Sequence, residues 1–239
     1  MRILLLGYGK MGKVIEQTAL LRSHEIVGKI DVNNRHELEN FTMQNTDVAI
    51  EFSAPEAAFE NLRWAMSRGI PAVCGTTGWL EHRSEIEKLC LENQTAFFYA
   101  SNYSIGVNLF FRLNKYLAKL IAPYNQYDVH TTEIHHTEKR DAPSGTAITL
   151  AEGLLKHLSH KTEWVNEASV AENQIPIVSL REGTVPGTHI IRYDSPVDSI
   201  EIQHIAHSRE GFALGAVVSA EWLKDKQGVF GMDDLLGED

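Results

Sequence analysis

The 239 residues are 43% hydrophobic and 23% charged, an ordinary mix for a globular protein with length for one large domain or two modest ones. A formal net charge of −10 argues against nucleic acid as a partner, because phosphate binding needs a basic face. No apolar stretch approaches the ~20 residues that span a bilayer. Cys74 and Cys90 are the only cysteines and form no CxxC, so they read as reduced core residues of a cytoplasmic protein. With a core strand at its very start, the chain is expected to carry no signal peptide and no membrane segment.

Arg2–Leu6 is a short apolar run of the kind that forms a parallel strand buried on both faces. Gly7-Tyr8-Gly9-Lys10-Met11-Gly12 follows directly, and Val14, Ile15 and Thr18 then recur at helical spacing. A GxGxxG string is weak evidence alone; strand before and helix after give it the context of a dinucleotide turn. Gly7 permits the tight turn, Gly9 lets the backbone approach a pyrophosphate, and Gly12 lets helix and strand pack closely. Glu25–Ile30 reads as the second strand. It ends at Asp31, about 20 residues beyond the last glycine, where a carboxylate meets the adenosine ribose hydroxyls.

Strand and helix then alternate. Asp47–Phe52 is a third strand, and Pro55 sits near the start of a helix to Arg68. Ile70–Cys74 is a fourth strand, followed by a helix over Leu80–Leu91, and Thr95–Ala100 is a fifth. This alternation predicts an α/β fold, a doubly wound parallel Rossmann sheet whose ligands sit beyond the carboxyl ends of its strands. The loops at those ends are Gly7–Gly12, Ser53-Ala54-Pro55, Gly75-Thr76-Thr77-Gly78 and Ser101-Asn102-Tyr103. Gly75–Gly78 is expected at the nicotinamide end.

After Tyr103 the pattern changes. A helix over Val107–Leu120 precedes a strand, Asp128–His135, and a loop with two imidazoles, an ammonium and a guanidinium: His135, His136, Lys139 and Arg140. Pro143-Ser144-Gly145-Thr146 then opens a helix to Leu158. Imidazole and ammonium can give protons near neutral pH, and a helix start favours anions. The run therefore describes a pocket that grips an anion and protonates it. Ile177–Leu180, Thr188–Tyr193 and Ser199–His207 read as strands of an open or antiparallel sheet. Gly211–Leu223 and Phe230–Leu236 read as helices. The resulting division is 1–103 with 209–239 as the dinucleotide-binding domain, and 104–208 as an inserted α+β substrate and oligomerisation domain. His204 and His207 would point to opposite faces of a strand, so no metal site is expected there. Arg181, Arg192 and Arg209 could each help hold a carboxylate, with a surface arginine the default for the first two, and Asp141 reads as orienting the loop or Lys139, or else as a solvated charge.

With those residues in view, the chain resembles the dihydrodipicolinate reductase family, also called 4-hydroxy-tetrahydrodipicolinate reductases. Glu133 to Thr146 matches every fixed position of its signature, E-x-H-H-x-x-K-x-D-x-P-S-G-T. The resemblance extends to Gly7–Gly12, Gly75–Gly78, Ala100-Ser101-Asn102-Tyr103 with Gly106-Val107-Asn108, and His204, Arg209 and Gly215. It implies reduction of a cyclic imine dicarboxylate by NADH or NADPH in the diaminopimelate route to lysine, in a homotetramer joined through the substrate-domain sheets. It further implies that His135 is a proton donor and acceptor, that Lys139 is a further donor, and that His136 contacts substrate. Gly145 and Thr146 would bind a substrate carboxylate, and either His135 or Lys139 can supply the proton. Asp31, with no arginine directly beside it, leans the choice to NADH, while Arg35 leaves NADPH usable. The competing readings are another Rossmann oxidoreductase of small amino or imino acids, and a dinucleotide-sensing module without turnover. Neither needs the His-His-Lys cluster at this spacing.

Overall fold

The structure is a computed structural model that describes residues 1–168 and 171–237. The chain divides into two compact units, Met1–Ile105 with Glu210–Asp239, and Gly106–Arg209.

The first unit is built on β1 (Arg2–Leu6), β2 (Glu25–Ile30), β3 (Val48–Glu51), β4 (Ala72–Cys74) and β5 (Ala96–Tyr99). Between them run α1 (Lys10–Leu21), α2 (Pro55–Ser67) and α3 (Arg83–Glu92). The segment between β2 and β3 contains a 3-10 turn, Arg35–Asn40, in place of a full helix. β1 explains why the apolar run is continuous rather than alternating. Ile3 and Leu5 join one core with Ile15 and Ala19 of α1, whereas Leu4 and Leu6 join another with Leu62 and Met66 of α2. Both faces are covered, so Ile3 to Leu6 are all apolar and buried.

Further along the chain lie α4 (Ile105–Ile121), β6 (Asp128–His135), α5 (Gly145–Leu155), β7 (Glu163–Val165) and β8 (Gln174–Arg181). They are followed by β9 (Gly187–Asp194), β10 (Ser199–Ala206), α6 (Glu210–Leu223), β11 (Gly228–Phe230) and α7 (Met232–Leu236). α6 returns to the first unit and packs Ala213, Ala216, Val217 and Ala220 into the core that holds α1. Its Gly215 is required by packing, since a Cβ there would lie 1.6 Å from the Tyr103 carbonyl oxygen. The first unit's sheet is fully parallel in the order β11-β5-β4-β3-β1-β2. Its direction of growth reverses at β1, with β2 on one side and β3 on the other, which opens the ligand crevice of such sheets.

Phe230 corrects the reading of a helix over Phe230–Leu236. Gly228–Phe230 pairs in parallel with Ala96–Phe98 and completes the sheet edge, and the helix begins only at Met232. Three residues are too few to show a period, so only the tertiary pairing identifies that strand.

In the second unit the sheet order is β10-β9-β6-β8-β7. It is mixed rather than open or antiparallel: β9 pairs antiparallel with β6 and β10, whereas β8 is parallel to β6 and β7. The parallel step follows from the α5 crossover, which carries the chain back to the starting end of β6. Phe110, Ala118 and Ile121 of α4 and Leu150 and Leu154 of α5 pack with Val129, Ile175, Ile191 and Tyr193 of the sheet.

Candidate active site

In the first unit, the parallel strands bring their carboxyl ends to one edge, and the glycine turn sits there. Gly7 has a φ of +98°, and a Cβ on it would lie 2.3 Å from the Phe52 carbonyl oxygen. A Cβ at Gly12 would lie 2.3 Å from the Gly7 oxygen, whereas Gly9 faces open space. These are the properties a backbone needs to admit a pyrophosphate at the start of α1. A cavity of about 520 Å³ opens at this edge and brings together Gly7, Tyr8, Gly9 and Asp31. Arg35, Phe52, Ser53, Glu56 and Asn61 also line it. The Asp31 carboxylate accepts from the Val32 amide at 2.7 Å. Arg35 donates to the Asn61 side-chain carbonyl on the opposite wall.

Lys10 and Met11 begin α1; Lys10 is exposed, and Met11 packs on the core. Gly75, Thr76 and Thr77 follow β4 and Ala100–Tyr103 follow β5 at the same sheet edge, but none of them lines this cavity. Thr76 is buried, and its hydroxyl accepts from the Ser53 amide at 2.9 Å. Tyr103 is an anchor, 2% exposed, and donates to the Cys74 carbonyl at 2.7 Å. Asn61, absent from the sequence reading, is a buried polar residue on the inner face of α2; an asparagine among apolar helix positions was its only signal.

Beneath these loops lies Glu51, 0% exposed. It accepts from the Ser53 hydroxyl, from the Ser53 amide at 3.2 Å and from the Cys74 thiol at 3.2 Å. Burial pushes its pKa up, and the neutral donors around it only partly offset this. Burial also pushes the Cys74 thiol well up, so it stays protonated and unreactive.

In the second unit, β6 delivers Glu133 and His135 to the inner face and His136 to a half-buried position where the strand ends. The following loop is tied down by the Thr137 amide donating to Gly183 O at 3.2 Å and the Glu182 amide donating to His135 O at 2.8 Å. Lys139 donates to both Asp141 oxygens at 2.8 Å and holds that carboxyl below its usual range. Ser144 caps α5 by accepting from the Ala147 amide at 3.2 Å. The Gly145 and Thr146 amides are left as first-turn donors, which have no partner within a helix. A Cβ on Gly145 would meet nothing within 4 Å.

Glu133 is the residue whose role the sequence reading left open. It is 0% exposed and accepts from the Ser144 amide at 3.1 and 3.2 Å. Arg181 Nη2 and His135 Nδ1 each stand 3.2 Å from one of its oxygens. Burial would raise its pKa, but its contacts to His135 and Ser144 outweigh that and hold it well below the usual carboxylate range. Arg181 is therefore no ordinary surface arginine; it also donates to the Asp141 carbonyl at 2.6 Å. The His189 ring meets that of His135 edge-on at 5.2 Å. Burial first and then the neighbouring His135 push the His189 pKa down to about 4. Glu133, His135 and His189 offer ligand atoms within 4.8 Å of one another. The Ser144 amide and Arg181 already occupy the carboxylate, so this set is a poor fit to a metal ion. His204 packs its ring against Phe110 at 6.0 Å.

A glycine turn opening a parallel doubly wound sheet, and a second unit carrying imidazole and ammonium donors beside a helix start, define a Rossmann oxidoreductase of small anionic substrates. Residues 1–103 match the family model "Dihydrodipicolinate reductase, N-terminus", and residues 106–236 match "Dihydrodipicolinate reductase, C-terminus". The chain belongs to the dihydrodipicolinate reductase family. The 4-hydroxy-tetrahydrodipicolinate reductase of Christiangramia forsetii is 50% identical over 240 residues, covering 100% of this chain and 98% of that protein. That of Methanosarcina barkeri is 37% identical over 218 residues, 88% of this chain and 82% of that one. The dipicolinate-bound dihydrodipicolinate reductase of Paenisporosarcina sp. TG-14 superposes with a TM-score of 0.78 at 25% identity, covering 98% of this chain and 99% of that chain.

Proposed function

We propose that this protein reduces 4-hydroxy-tetrahydrodipicolinate to tetrahydrodipicolinate with NADH or NADPH, in the diaminopimelate route to lysine. The observation that carries the reading is the stretch Glu133–Thr146. There a buried His135, a Lys139 ammonium and an open helix start lie on one continuous segment of an otherwise acidic protein. The substrate of the family is a cyclic imine dicarboxylate. The 4-hydroxyl leaves as water, which puts a C=C in conjugation with the imine; when bound, the dinucleotide would supply a hydride to the ring carbon at the end of that conjugated system, and one proton completes the reduction. His135 and Lys139 stabilise the electron density that builds on the ring nitrogen, and one of them delivers the proton, an effect typically worth 10²–10⁴-fold. The Gly145 and Thr146 amides at the start of α5 bind a substrate carboxylate, and His136 contacts the substrate.

Gly7-Tyr8-Gly9-Lys10-Met11-Gly12 would hold the dinucleotide, with Asp31 accepting from the adenosine ribose, and Gly75-Thr76-Thr77 and Ala100-Ser101-Asn102-Tyr103 would serve the nicotinamide end. NADH is the preferred donor because Asp31 repels a 2′-phosphate, and Arg35 on the same cavity wall keeps NADPH usable. Assembly is as a homotetramer through the second unit's sheet. Support comes from exposed Ile200 and Ile205 on the edge strand β10, and from an exposed apolar stripe on α4 of Leu109, Leu113, Tyr116 and Leu120. No helix among the described residues is long and apolar enough to cross a membrane, and the protein works in the cytoplasm. The deciding experiment feeds the product of dihydrodipicolinate synthase to the purified protein. Nucleotide oxidation that depends on that product supports the reading, and oxidation without it or none at all refutes it.

A further inference from the structure

The two halves of the proposed substrate pocket, the proton donor and the anion-binding helix start, share a single buried residue. Glu133 sits on β6 two residues before His135, so both side chains point to the same face of the strand. Its carboxylate stands 3.2 Å from His135 Nδ1 and accepts from the Ser144 amide at 3.1 Å, at the cap of α5. A third arm runs through Arg181, which is 3.2 Å from Glu133 and donates to the Asp141 carbonyl at 2.6 Å. Asp141 in turn holds Lys139 by two contacts of 2.8 Å. No exposed face of this carboxylate remains, since Glu133 is 0% exposed.

We propose that Glu133 is the positioning residue that fixes His135, the Lys139 loop and the start of α5 relative to one another, so that proton delivery and carboxylate binding stay in register. With Nδ1 turned to Glu133, the working nitrogen of His135 is Nε2. Gly187 leaves space at that atom: a Cβ there would come within 3.1 Å of Nε2. Groups that act in register lose efficiency steeply when displaced by about an ångström, so loosening the common anchor costs both functions. The proposal rests on the assignment above of His135 and the α5 start to the substrate.

Glu133→Gln tests it, because the amide keeps an acceptor for the Ser144 amide but cannot hold Arg181 and His135 together. Three quantities are compared with wild type: kcat, the Kd for pyridine-2,6-dicarboxylate by calorimetry, and the Kd for NADH by fluorescence. The expected result is a fall in kcat of about 100-fold and dicarboxylate affinity weakened about tenfold, with NADH affinity unchanged and partial recovery of both losses in Glu133→Asp. A kcat loss with dicarboxylate affinity within twofold of wild type overturns the shared role, as does the reverse. Should Glu133→Gln fail to fold by circular dichroism, Arg181→Met decides, with both losses expected and retention of either one overturning the proposal. Should wild type itself neither turn over nor bind the dicarboxylate, the functional reading falls. The ¹⁵N shift of His135 Nδ1 then still judges the anchor, which is wrong if that shift is the same in wild type and Glu133→Gln.

Discussion

Each unit withdraws one glutamate from water at the inner end of its ligand-facing loops. Glu51 in the first unit and Glu133 in the second are both 0% exposed, yet their surroundings shift their proton affinities in opposite directions. Glu51 is met by hydroxyl, thiol and a single amide, and its proton is held more tightly than usual. Glu133 is met by an imidazole, a guanidinium and the amide that opens α5, and its proton is given up. Burial alone therefore does not set the ionisation of a carboxyl; the charge of its donors does.

The strongest way to break this contrast is to remove the proton-donor side chains that Glu133 organises. His135→Gln or Lys139→Ala should lower kcat about 100-fold or more, about 3 kcal/mol of transition-state stabilisation, in a protein that stays folded. Steady-state kinetics of the purified variants measures this, and near-normal kcat in both would remove the second unit's loop from the chemistry.

Stability offers the next test. Glu133→Gln leaves Arg181 without its counter-charge and should cost about 3 kcal/mol. Glu51→Gln keeps the shape and leaves no charged partner unpaired, since the donors to Glu51 are an amide, a hydroxyl and a thiol, and it should change stability by no more than about 1 kcal/mol. Urea titrations at pH 7 distinguish them, and equal losses would mean that the charge of the donors does not decide what each glutamate contributes.

The pH dependence should then differ in sign between the units. Glu133 binds its proton less tightly folded than unfolded, so its contribution is present above the ordinary value of 4.5 and is lost as pH falls below it. His189 acts in the same direction, its contribution being complete above 6.5 and lost as pH falls through about 4. Glu51 acts oppositely: its contribution is present below 4.5 and is lost as pH rises through its raised folded value. With the chain labelled by fluorotryptophan, the Trp164 resonance follows the second unit. That unit should weaken between pH 6.5 and 4, and His189→Asn should flatten the decline by about 2–3 kcal/mol. A decline of full size in the variant would rule out His189 as its source.

The smallest effect concerns Arg35 at the first unit's cavity. Arg35→Ala should lower kcat/KM for NADPH about tenfold, about 1.4 kcal/mol, and leave NADH nearly unchanged. Comparable losses with both cofactors would show that Arg35 holds the Asn61 wall rather than a phosphate.

Much of this was legible in the residues. The apolar run Arg2–Leu6, the glycines after it and the acid at Asp31 are local signals read within one strand–turn–helix unit, and β1, α1 and β2 occur where that pattern puts them. The His-His-Lys run and the Ser144 cap were equally plain, because capping and loop chemistry act over a few residues. Gly228–Phe230 and Glu163–Val165 were not, since three-residue strands carry no period and exist only by pairing with distant partners. Arg181 looked like a surface arginine because nothing in its neighbours along the chain announces Glu133, 48 positions away.

The sequence by itself determined the elements whose stabilising contacts are local, and the kinds of side chain available for binding and proton transfer. Only the tertiary structure decided which way the proton affinity of each glutamate is shifted. Glu51 and Glu133 each end or nearly end a strand, and each is followed within two residues by a polar partner, Ser53 and His135. What separates them arrives from afar: the Ser144 amide and Arg181 in one case, the Cys74 thiol and the Thr76-bound loop in the other. Electrostatic energy depends on distance in space, and the fold alone converts a separation along the chain into contacts near 3 Å.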